Sequence, residues 1–108
     1  MTDPECVLVL TTLPENADAA GLARRLVDER LAACVSVLDP MTSYYRWQGA
    51  LAEDRERQLL IKTSADRVGA LETRLRGLHP YEVPEFLVLP VAGGGAAYLA
   101  WVRDSTTP

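Results

Sequence analysis

Two segments of this chain carry apolar side chains at helical spacing, and short apolar runs of strand length bracket both. In the first segment Leu22, Ala23, Leu26, Val27 and Leu31 recur at three- and four-residue steps, with Arg24, Arg25, Asp28 and Glu29 on the other face and Gly21 weakening the start slightly. In the second, Val68, Leu71, Leu75 and Leu78 form the stripe, Ser64 offers an N-cap, and Gly77 offers a left-handed end. Ahead of the first helix, Cys6 to Leu10 is a continuous Val/Leu-rich run that suits a strand covered on both faces, closed by Pro14. Ala33 to Leu38 reads as a second strand, interrupted by Pro40. Leu59 to Thr63 reads as a third and Phe86 to Leu89, closed by Pro90, as a fourth.

The segment between the second and third strands decides how they connect. Thr42 to Trp47 is rich in β-formers, and Gln48-Gly49 reads as a hairpin turn in which glycine supplies a positive φ. The return limb is ambiguous. Glu53-Asp54-Arg55-Glu56-Arg57-Gln58 offers no apolar face until Leu59, and propensity alone favours a short exposed helix there. Gly93-Gly94-Gly95 reads as a flexible loop, Ala96 to Arg103 as a short terminal helix presenting Tyr98, Leu99, Trp101 and Val102, and Ser105 to Pro108 as a frayed tail. The order β-α-β-β-α-β with a small final helix predicts an α+β, ferredoxin-like sandwich, an antiparallel sheet with two helices on one face. With 108 residues and no repeat or linker, residues 1–108 are expected to form one domain with a modest core.

Composition narrows the function. The net charge of -4, from 11 basic and 15 acidic side chains, argues against a nucleic-acid partner, whose phosphates need a basic surface. No apolar run is long enough to span a bilayer, and Met1 to Glu5 lacks the basic region of a signal peptide, so a cytoplasmic protein without a membrane partner is expected. Cys6 and Cys34 are then expected to be free thiols.

Chemistry concentrates in His79-Pro80-Tyr81-Glu82-Val83-Pro84-Glu85. The segment holds the only histidine, a phenol and two carboxylates, and its prolines push His79 and Val83 toward extended geometry. Imidazole is the commonest metal ligand and suits divalent copper or zinc, which makes His79 the first candidate. The glycine triplet lacks the spaced glycines and the Lys-Ser/Thr of a phosphate loop. No Ser-His-Asp or Cys-His nucleophile pattern is recognisable, so an enzyme is not expected.

Six segments in order resemble the CutA divalent-ion tolerance family. They are the first strand with Thr11-Thr12 before Pro14, Leu31-Ala32-Ala33-Cys34-Val35-Ser36, Ser43-Tyr44-Tyr45-Arg46-Trp47-Gln48-Gly49, Glu56 ahead of Ile61-Lys62-Thr63, the His79 to Glu85 segment, and Tyr98-Leu99-Ala100-Trp101. The resemblance implies a cytoplasmic homotrimer similar to PII-type signalling proteins. It also implies a long hairpin that reaches a neighbouring subunit, which turns the polar limb into a strand. Its implied function is the binding of copper or another divalent cation in metal tolerance, with Cys34 at a position associated with metal contact beside His79. Trp47, Glu56, Lys62, Tyr81, Glu82 and Glu85 correspond to residues lining clefts between subunits, where a PII-like sensor or scaffold would hold a small molecule. The chain departs from some members in carrying Thr11 where they have a second cysteine. One histidine and one matched cysteine do not fill a tetrahedral site, so a tight site needs carboxylates, water or a second subunit.

Overall fold

Strand β4 organises the fold. A computed structural model of the chain describes residues 5–108; the reading of Met1–Pro4 as lacking a basic leader falls outside them. In chain order the elements are β1 (Cys6–Pro14), α1 (Ala19–Asp28), β2 (Cys34–Val37), β3 (Met41–Trp47), β4 (Ala50–Ser64), a 3-10 turn (Ala65–Arg67), α2 (Val68–Leu78), β5 (Leu87–Pro90) and α3 (Ala96–Ser105). The sheet order is β2-β4-β1-β5, with β3 also paired to β4, and every pairing is antiparallel. The architecture is the ferredoxin-like α+β sandwich. At about 3.4 Å per residue the fifteen residues of β4 span about 50 Å, which accounts for the molecule's long axis of 48 Å.

The exposed helix that propensity alone favours over Glu53 to Gln58 does not form; the segment is the hairpin strand that the family resemblance implies. Strand β3 pairs with β4 from Trp47↔Ala50 to Met41↔Glu56, so ladder hydrogen bonds take the place of an apolar face. Polar cross-strand contacts support the ladder: Arg55 donates to Thr42 Oγ1 (3.3 Å), and Tyr45 donates to Asp54. Gln48 (φ 49°) and Gly49 (φ 80°) are both left-handed, as a two-residue I′ turn requires. Strands β2 and β3 form one limb with a bulge. Residues 38–40, three in number, face residues 57 and 58 of β4, so the pairing steps from Val37↔Leu59 to Met41↔Glu56. Pro40 sits inside that bulge, where its missing N–H breaks no ladder bond.

Side-chain alternation divides the sheet into two faces. On one, Val7, Val9, Leu13, Leu59 and Ile61 pack with Leu22 and Leu26 of α1 and with Leu71 and Leu75 of α2 as the core. On the other lie Leu8, Leu10 and Leu60, half-buried, and the exposed Leu87 and Leu89. Strand β1 is therefore covered fully on one face only, where the sequence suggested both. Helix α3 lies at the far end of this second face, where the Ser64 and Thr106 hydroxyls meet at 2.6 Å.

Several terminal readings change. Helix α1 stops at Asp28, and Leu31 is buried beyond it: Arg30 takes φ 59°, while the N–H groups of Leu31 and Arg30 bond the Leu26 and Val27 carbonyls, a Schellman closure. Gly21 lets the first turn close, because a Cβ there would sit 2.3 Å from Asp18, whose carboxylate caps the Gly21 N–H at 2.9 Å. Gly77 lies within α2 and ends nothing; the helix ends at Leu78 because Pro80 holds His79 extended (φ -84°, ψ 136°). Ser64 precedes the 3-10 turn but its side chain caps no N–H. The tail is not frayed throughout: Thr106 is buried, and its hydroxyl also bonds the Val102 carbonyl at 2.9 Å.

Candidate functional site

The 79–86 segment leaves α2 and runs beside the end of β1, where β5 does not reach. Strand β5 pairs only with Val7 to Leu10. Even-numbered carbonyls of β1 face that side, as the Val91 N–H to Cys6 bond (3.1 Å) shows, so the Thr12 carbonyl lacks a strand partner. His79 Nε2 supplies one at 2.6 Å. A carbonyl only accepts, so Nε2 carries the proton; Nδ1 is then free to accept the Tyr81 N–H at 3.1 Å. Both nitrogens of this buried imidazole are engaged, and its tautomer follows from its partners. An N–H anchored on a carbonyl is also the orientation metal-bound imidazoles use, with the other nitrogen as donor to the ion.

Tyr81 extends the network. Its hydroxyl donates to Glu56 Oε2 at 2.9 Å, and its ring lies 5.0 Å from that of His79. Glu56 is only 7% exposed. Burial pushes the Tyr81 phenol above its ordinary range, and the bond to the Glu56 carboxylate pushes it further the same way. Gln58 Nε2 donates to the Thr11 carbonyl and to Glu85 Oε2, each at 2.8 Å. His79, Tyr81 and Glu56 thus form one hydrogen-bonded chain on the Thr12 carbonyl, and Gln58 and Glu85 a second one on the carbonyl of the adjacent Thr11. Sequence reasoning missed Gln58 and Thr12. The only usable signal was that Gln58 is the one uncharged residue of its polar run, a group able to donate to a carboxylate and a carbonyl at once.

The other candidates stand elsewhere in the chain. Cys34 pairs with Lys62 on β4, with Sγ 3.8 Å from Ser36 Oγ. Lys62 Nζ lies 5.8 Å from the centre of the Tyr98 ring. Hydrogen bonding with the Tyr98 phenol raises the Lys62 pKa, and the nearby Cys34 adds to it. Burial raises the Cys6 thiol. Thr12 opposes Gln58, four residues from Lys62 along β4 and across it from β2, so the His79 and Cys34 positions are separated by at least about 13 Å of strand. Trp47 is exposed at the hairpin end, and Glu82 is exposed in the turn after Tyr81. Among the described residues, no three His, Cys, Asp or Glu side chains gather closely enough to hold a metal ion.

Comparison with known proteins places these residues in a wider group. A family model described as CutA1 divalent ion tolerance protein matches residues 7–105. A divalent-cation tolerance protein CutA from Thermus thermophilus is 48% identical over 99 residues, covering 92% of this chain and 96% of that protein. Its Yersinia pestis counterpart is 45% identical over 111 residues, covering 97% and 93%. The solved structure of a divalent cation tolerance protein from Thermus thermophilus superposes with a TM-score of 0.91 at 46% identity, covering 94% of this chain and 99% of that one.

Proposed function

The chain belongs to the CutA1 divalent ion tolerance protein family, and from that premise we propose that it is a cytoplasmic homotrimer of single-domain subunits that binds copper or another divalent cation. It acts by binding rather than by catalysis. Two relatives bear the name divalent-cation tolerance protein, and metal tolerance is the role that name describes.

The observation that carries the assembly is the open sheet face. Leu87 (52% exposed) pairs with Leu10, and Leu89 (41% exposed) pairs with Leu8, while Leu10 also faces Leu60. This is a contiguous leucine surface of a kind that soluble chains cover by association. The hairpin supports the same reading: Tyr44, Trp47 and Leu51 are exposed along a limb that extends beyond the core. Packing against a second copy would bury them.

The metal reading follows from the ligand supply. A single chain separates His79 from Cys34, so a site using both draws them from different subunits. Cys34 offers a half-exposed thiol on the open face, and His79 offers Nδ1 once the Tyr81 N–H is displaced. Carboxylates or water complete the set. Light scattering on the purified chain tests the assembly, and a monomer would refute it. Isothermal titration of the reduced protein with Cu(II) and Zn(II), repeated on His79→Ala and Cys34→Ser, tests the ligands. Unchanged binding in either variant removes that residue from the site.

A further inference from the structure

We draw no further inference here: the strongest candidate, the shallow groove that Ala23 and Val27 of α1 form with Val35 at the outer edge of β2, carries nothing, because nothing in the structure shows what covers it and its mixed charges, Arg24, Arg25 and Asp28, single out no partner.

Discussion

His79 Nε2 lies 2.6 Å from the carbonyl oxygen of Thr12, 67 residues earlier, and closes the edge of β1 beyond the reach of β5. His79→Ala removes that donor and also the acceptor of the Tyr81 N–H. With these groups buried, the expected loss is about 1–3 kcal/mol. Urea unfolding at fixed protein concentration measures it, since association adds its own stability. His79→Gln keeps an amide donor of similar reach and should lose less. An unchanged midpoint in His79→Ala would show that the edge is closed by something else.

Thr11→Val should act in the opposite direction. The variant deletes a buried hydroxyl that has no partner and substitutes a methyl of similar size. The expected gain is about 1 kcal/mol. The same urea series reads it, and a loss would mean that the hydroxyl has a partner in solution.

The Tyr81–Glu56 bond predicts an alkaline dependence. The folded pKa of this phenol is raised above its unfolded value, so the protonated form is the one that stabilises the fold. That contribution is fully present below about pH 10, the ordinary phenol value, and is lost as pH rises from there through the folded pKa. Tyr81→Phe should therefore flatten the fall in stability above about pH 10, and it should lower stability at neutral pH by about 1–2 kcal/mol. Tyr45, raised by its bond to Asp54, titrates late as well, so the measurement is the difference between wild type and Tyr81→Phe. Matching alkaline profiles would place Tyr81 outside the network.

Thr106 ties the C-terminus to the sheet through Ser64. Thr106→Val leaves the Ser64 hydroxyl buried without that partner and should lower stability by about 1–2 kcal/mol. Thr106→Ser should retain most of it. Thermal unfolding of the two variants side by side distinguishes the hydroxyl from the methyl.

Much of the fold is legible in local pattern. The stripe of Leu22 and Leu26 and the stripe of Leu71 and Leu75 report their buried faces, and the apolar runs of β1, β4 and β5 report that they are strands, though not which of their faces are covered. The Gln48-Gly49 turn is legible too, because its dihedral demand falls on two adjacent residues. The candidate site is legible only in part. The 79–85 segment announces itself by its side chains, and His79, Tyr81 and Glu56 do come together. Gln58 bonds Thr11 and Glu85, 47 and 27 residues away, which no local pattern encodes.

The order of elements, the inward faces of the first two helices, the hairpin turn and the family resemblance were all present in the amino-acid sequence. These depend on periodicity, turn chemistry and residues in fixed order. That Glu53 to Gln58 extends is not written in its own side chains, since its ladder partners are supplied by β3 and β1, and only the family resemblance pointed to it. Packing settled that both His79 nitrogens are occupied, that Thr106 is buried, and that the Thr11 hydroxyl is left without a partner. Each of these is a question of which distant polar group lies within hydrogen-bond reach, and only the packed chain sets those distances.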